Sequence, residues 1–262
     1  MESLRRLPWA TAARDSVPPA GAGLPYAGSL RPVLTDASPR PRPPSTVSMP
    51  IDVTTLWLAR CGDSLWQRDA RLQGQADIPL SAEGRATLES ALAQLNVACG
   101  APRGAIAGAA TVVLHPPDEA ASESAAIVAR ALGGRPRRAE ALAEPDLGLF
   151  TGLTIAEVRE RFPTRHRQWE DEPMSLVPPD GEPLAGAQER ILTALAEACR
   201  RHRGKTFAAV LHPLALGIVR CALARRPANE LWRQIEGRPR VEEYLLPGDS
   251  EELLRAAAEA IA

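Results

Sequence analysis

The hydrophobic pattern alternates between two kinds of segment beyond about residue 50. Thr54 to Ala59, Thr111 to His115, Thr206 to Leu211 and Val241 to Leu246 are short, apolar and rich in β-branched residues, and each predicts a strand. Ala82 to Leu95, Glu119 to Leu132, Ile155 to Arg161 and Leu184 to His202 carry Ala, Leu, Glu and Arg at helical spacing. A last helix is expected from Ser250 to the C-terminus, with Ser250 as its N-cap ahead of Glu251 and Glu252. Strands separated by helices predict an α/β fold, a three-layer α/β/α arrangement around a mainly parallel sheet. In such sheets chemistry gathers outside the carboxyl ends of the strands, so the polar, Gly-containing turn after Thr54 to Ala59 is the first place to look.

Residues 1 to 48 break this pattern. Ten prolines fall in the first fifty positions, with six Arg against Glu2, Asp15 and Asp36 before residue 49 and no sustained periodicity. Such a composition cannot bury enough apolar surface to order itself and predicts a disordered extension. Met49 stands directly before the patterned region, so translation starting there is an alternative origin for that region, leaving 49–262 as the domain. A mass spectrum of the native protein starting at Met1 excludes that alternative.

With 262 residues, 45% hydrophobic and a net charge of −1, the chain can bury one sizeable core, and its charge gives no reason to expect nucleic acid. The basic residues are almost all Arg, Lys205 being the single lysine, a bias that follows genome base composition more readily than function. Cys61, Cys99, Cys199 and Cys221 form no Cys-x-x-Cys pair and have no His at ligand spacing, so neither a zinc site nor a cofactor is expected. Without a signal-like apolar run or a membrane-length segment, no membrane partner is expected and a cytoplasmic setting is the expectation.

The chemistry-bearing motifs lie in order along the patterned region. Arg60-Cys61-Gly62-Asp63 precedes Trp66-Gln67; then come Arg71-Leu72-Gln73-Gly74-Gln75-Ala76-Asp77-Ile78-Pro79-Leu80-Ser81 with Glu83-Gly84, and Leu142-Ala143-Glu144-Pro145-Asp146-Leu147-Gly148 with Gly152-Leu153-Thr154. Pro178-Pro179-Asp180-Gly181-Glu182 and Val210-Leu211-His212 follow. This series resembles the histidine phosphatase superfamily, the phosphoglycerate-mutase-like group, over roughly residues 51 to 225. That family opens on Arg-His-Gly-Glu, and its chemistry depends on a histidine that takes the phosphoryl group while arginines and a second histidine hold it.

The resemblance implies a role for each matching position. Arg60 takes the first clamp arginine's place, His212 the second histidine's and Glu144 that of the proton donor; Arg71 and Gln73 lie in the loop that contacts substrate. Cys61 stands at the nucleophile position. The second clamp arginine has no basic counterpart: His115-Pro116-Pro117-Asp118-Glu119-Ala120 occupies that segment, with Ala120 or Glu119 at its place depending on register. Asp118, Glu119 and Glu123 add negative charge where a dianion would sit. His115 is a weak substitute, a role that unchanged ligand binding in His115→Ala would exclude.

Bland readings stand beside these. Arg60 can pair with Asp63 or Glu144, Glu144 can cap a helix, and His212, before Pro213 at a helix start, can be a hydrogen-bonded core-edge residue. Cys61 as a nucleophile in its own right does not fit the Cys-x5-Arg loop of thiol phosphatases, since Arg68 makes the spacing Cys-x6-Arg.

Three functions follow as expectations. One is a catalytically impaired phosphatase-like protein, a pseudoenzyme binding a small phosphorylated molecule or a partner through a remnant cleft. Another is a metal-independent phosphomonoesterase with residual or Cys61-dependent activity, and the third a non-catalytic interaction module using the Pro-rich tail. Many members of the resembled family dimerise through the sheet edge, so a homodimer is one expectation, the sequence itself leaving the oligomeric state open.

Overall fold

In a computed structural model, residues 53–98 and 110–260 are described; the Pro-rich extension and Cys99 lie outside them. The elements run β1 (Thr54–Arg60), α1 (Leu65–Arg68), α2 (Ala82–Ala98), β2 (Val112–His115), α3 (Glu119–Leu132), β3 (Arg135–Arg138), α4 (Ile155–Arg161), α5 (Pro163–Asp171), α6 (Leu184–Arg201), β4 (Thr206–Leu211), α7 (Pro213–Leu223), α8 (Leu231–Ile235), β5 (Val241–Leu246) and α9 (Ser250–Glu259). The sheet order is β3-β2-β4-β1-β5, parallel except for β5, which runs antiparallel to β1.

The three layers follow from the two-residue period of the strands. Leu56 and Leu58 of β1 and Phe207, Ala209 and Leu211 of β4 face a core shared with α6, α7 and α9. Trp57, Ala59, Ala208 and Val210 face the other side, against Leu88 and Leu92 of α2 and the apolar side of α3. Both faces are covered, which is why these strands read as continuous apolar runs. A third cluster, around Phe150, Trp169, Leu176, Leu184 and Leu231, packs beside the carboxyl end of the sheet and forms one wall of the cleft described below.

The N-cap expected at Ser250 is not there: Asp249 holds that position without a side-chain capping bond, and Ser250 is the buried first residue of α9. Ser81 opens α2. Its hydroxyl accepts from Gly84 N at 2.9 Å and donates to Asp63 O at 2.7 Å, tying the helix to the turn after β1.

That junction requires glycine at 84. A Cβ there would overlap the Asp63 carbonyl and stand 2.5 Å from Asp63 N, both backbone. Gly84→Ala is expected to cost about 1–3 kcal/mol by overpacking, more than the gain in helix propensity returns. Urea denaturation of the two proteins measures it.

Candidate active site

β1 and β4 are adjacent parallel strands, with Arg60 opposite Leu211. Cys61 N then donates to Leu211 O at 2.8 Å, so Cys61 and His212 leave the sheet side by side at its carboxyl edge. Both are almost fully buried, Cys61 at 1% exposure and His212 at 1%. The Cys61 Sγ lies 3.3 Å from Ser124 Oγ on α3, and the same oxygen accepts from Gly62 N at 3.1 Å.

Asp118 is the N-cap of α3, accepting from Ala121 N at 3.0 Å, and this cap position points its carboxylate at His212. Both carboxylate oxygens lie 3.0 Å from His212 Nε2. His212 Nδ1 is buried with no hydrogen-bond partner. Burial opposes the imidazolium, but the adjacent Cys61 sulfur and the Asp118 carboxylate outweigh it and hold His212 well above the usual histidine range. Burial likewise opposes the Asp118 carboxylate, yet its bond to His212 leaves it below its ordinary value.

The signs of these two shifts fix a pH window. His212, raised above its unfolded value near 6.5, stabilises fully below that pH and loses its contribution as pH climbs through the folded value. Asp118, lowered from 3.8, contributes above that pH and loses its share as pH falls through the folded value. The pair is therefore most stabilising between about pH 4 and 6.5. Asp118→Asn, which keeps a capping oxygen, is expected to lose less stability than the wild type as pH climbs through the folded His212 value, read by urea denaturation across pH.

Glu144 takes the bland role anticipated for it as well as its place in the site. Its oxygens accept from Leu214 N at 2.8 Å and Ala215 N at 2.9 Å, capping α7, whose own N-cap residue, His212, makes no side-chain cap bond. Burial raises the Glu144 carboxyl, opposed by the His212 charge and by the two N–H donors.

Arg60 pairs with Asp63 at 3.0 Å rather than with Glu144, and its Nε is buried without a partner. Arg240, which the sequence reading missed, donates to the other oxygen of Asp63 at 2.8 Å, so two guanidiniums share one carboxylate. No local pattern marks Arg240, because it reaches the site only through the antiparallel placement of β5.

Arg71 donates to Gly152 O at 2.7 Å and reaches Glu157 at 3.5 Å. Gln73 is buried and donates to Ala76 O at 3.0 Å, with its Oε1 unpartnered. Both line a small open cleft with Glu144, Leu72, Leu147, Trp169, Leu214 and Trp232, whose cavity volume is about 30 Å³. The Trp169 and Trp232 rings are stacked at 5.3 Å.

His115, at 6% exposure, is held by a 2.7 Å contact between its Nδ1 and Pro116 O. Of the three acids expected to oppose a phosphate, Asp118 alone faces His212. Glu123 is neutralised by Arg85, and Glu119 is held at the helix start, where its N donates to Asp77 at 2.7 Å. Ala120 is fully buried, so that place supplies no cation. Among the described residues no cluster of three or more His, Cys, Asp or Glu is arranged to hold a metal, and no helix is long and apolar enough to cross a membrane.

Residues 56–240 match the model of the histidine phosphatase superfamily (branch 1). The chain is 26% identical to phosphoserine phosphatase 1 of Hydrogenobacter thermophilus, over 68% of this chain and 79% of that protein. It is 28% identical to the probable phosphoglycerate mutase GpmB of Salmonella arizonae, over 66% of this chain and 76% of the relative. The similarity to the bifunctional protein Rv2228c of Mycobacterium tuberculosis, 31% over 61% of this chain, spans only 41% of that protein's length. Among solved structures, Bacillus stearothermophilus YhfR superimposes with a TM-score of 0.63 at 27% identity, over 74% of this chain and 95% of that one.

Proposed function

Because the chain belongs to the histidine phosphatase superfamily, branch 1, we propose that it is a member impaired in phosphoryl transfer, lacking the family's nucleophilic histidine and using its cleft to bind a small ligand. The observation that carries this reading is the Asp118 carboxylate on His212, both oxygens at 3.0 Å. If His212 is the residue that holds phosphate in the family, an internal carboxylate now occupies its hydrogen-bonding face. A phosphate dianion must displace that contact or sit beside a like charge.

Magnitudes support a severe loss. Two unit charges near contact at a partly solvated site interact by roughly 4 kcal/mol, before any loss from the missing arginine. Arginine contacts to a transferring phosphoryl group are worth about 10³–10⁵ in rate in other enzymes. Arg60 and Arg240 do not replace that charge freely, because Asp63 pairs with both. Phosphate binding is therefore weak, while Arg71, Gln73 and the Trp169–Trp232 wall remain as contacts for other parts of a ligand.

The test is turnover of a broad phosphomonoester panel in metal-free buffer at several pH values, beside Cys61→Ala. Rates indistinguishable from buffer in both proteins are expected. Sustained turnover that Cys61→Ala abolishes would overturn the reading and make Cys61 a phosphoryl-accepting thiol.

A further inference from the structure

We infer that a cavity at the far end of α7 is a second binding site, one that takes small monocarboxylates with an apolar body, of the kind of a straight-chain fatty acid. It is separate from the phosphatase-like cleft and does not depend on what that cleft does.

α7 starts at the active site, where His212 is its N-cap, and its other end carries Cys221 and Ala222. At a rise of about 1.5 Å per residue, His212 and Ala222 lie about 15 Å apart along the helix axis. At that far end α6, α7 and α9 meet the turn at Pro173–Ser175 and the connection from α7 to α8. Together they enclose a cavity of about 310 Å³. Its lining residues are all different from those of the cleft around Arg71, Gln73 and Glu144, which measures about 30 Å³. Small-molecule sites begin at about 300 Å³, so the larger space is the one sized for an organic ligand.

The wall is apolar within and cationic at its rim. Leu192 of α6 and Ile218, Cys221 and Ala222 of α7 are buried and line it. Arg226 and Asn229 line it from the connection after α7, and both are exposed. Arg226 is the one charged residue in the wall, and its guanidinium has no hydrogen-bond or ion-pair partner among the described residues. Asn229 Oδ1 accepts from Met174 N at 3.1 Å, which leaves the Asn229 amide nitrogen as a second donor at the rim. Glu230, the next acid along the chain, is outside the wall and lies 4.0 Å from Arg233.

Polar bonds brace this space open. Gln188 Nε2 on α6 donates to Ala257 O on α9 at 2.8 Å, and the Asn229–Met174 bond ties one side of the rim to the other. Apolar atoms facing an empty space forgo their dispersion contacts, and a hydrocarbon chain restores them. The rim then selects the head group. A guanidinium presents a fork of donors that matches a carboxylate, and with a single positive charge in the wall a monoanion is balanced where a dianion is not.

The experiment is titration calorimetry of the full chain with butyrate, hexanoate and octanoate. Each added methylene is expected to tighten binding about fourfold, so octanoate should bind on the order of 10²-fold more tightly than butyrate. Arg226→Gln changes an exposed side chain that holds nothing else in place, and is expected to weaken octanoate about tenfold while leaving octan-1-ol unchanged. Ala257→Leu fills the cavity from α9 and should weaken the acid and the alcohol alike. Octanoate that binds the wild type no better than butyrate overturns the inference, a comparison that needs no variant to fold. Equal octanoate affinity in folded Arg226→Gln and the wild type also overturns it. So does binding that is lost in Arg71→Gln and kept in Arg226→Gln, which places the ligand in the active-site cleft instead. Ile261 and Ala262 follow Ala260, which lines the cavity. Octanoate binding to a chain ending at Ala260 but not to the full chain would make those two residues the occupant and overturn it as well. Phosphomonoester turnover bears on the preceding proposal alone.

Discussion

Glu144→Ala is expected to destabilise the protein by about 2–4 kcal/mol, since each buried donor left unpaired costs about 1–3 kcal/mol. The cost has a specific origin. α7 begins His212-Pro213-Leu214-Ala215, and neither His212 nor proline supplies an oxygen for the free N–H groups of its first turn. Glu144 reaches across from a loop seventy positions earlier and accepts from two of them, at 2.8 and 2.9 Å, in a site where it is 6% exposed. Glu144→Gln retains one acceptor and turns an amide donor toward the other N–H, so it should recover only part of the loss. Urea denaturation midpoints for the three proteins, at constant slope, read the difference. A Glu144→Ala protein as stable as the wild type would show that water replaces the cap.

Cys61→His is expected to leave phosphomonoester turnover at least about 10³-fold below what a complete clamp supports, even though it restores the family's residue at that position. The nucleophile is only one of the altered parts. Asp118 would still sit on His212, and no cation occupies the place of buried Ala120. Adding Asp118→Asn removes the opposing charge while keeping the α3 cap, and should raise turnover by about tenfold or more over Cys61→His alone, a change of only 1.4 kcal/mol out of the roughly 4 kcal/mol available. Steady-state kinetics on a single good phosphomonoester substrate distinguishes these cases. Full activity from Cys61→His alone would mean that the charge argument is wrong.

The sheet was legible where burial imposes a period. β4 and β5 begin and end where the apolar runs predict, and β1 and β2 differ from expectation by a residue at one end. β3 was not foreseen, because Arg135-Pro136-Arg137-Arg138 is an exposed edge strand with no apolar face and is a strand only through pairing with β2. α7 is buried on nearly every side, so its sequence shows no amphipathic stripe and only Pro213 marks its start. α5 carries a charged sequence whose helix is anchored by Trp169 and His166 against the neighbouring cluster, a tertiary cause invisible to local pattern.

In the site, what sequence revealed was set by local motifs, and what it concealed was set by topology. The Arg60–Asp63 pair spans three residues and was among the alternatives weighed. Asp118 was marked as a nearby negative charge, but its bond to His212 joins residues 94 apart, across α3 and β4. Arg240 lies 177 residues from Asp63 and meets it only because β5 folds back beside β1. Arg71 and Gln73 reach the cleft as expected, yet Arg71 is partly engaged with Gly152, and Gln73 keeps one oxygen free.

If the Asp118 carboxylate on His212 keeps phosphate out, as proposed, binding of inorganic phosphate must improve when that charge is removed. Titration calorimetry on the wild type and Asp118→Asn, at a pH where phosphate is mostly dianionic, should give a Kd weaker than about 1 mM for the wild type and at least about tenfold tighter binding for the variant. Micromolar binding by the wild type that Asp118→Asn leaves unchanged would mean that Asp118 does not exclude phosphate.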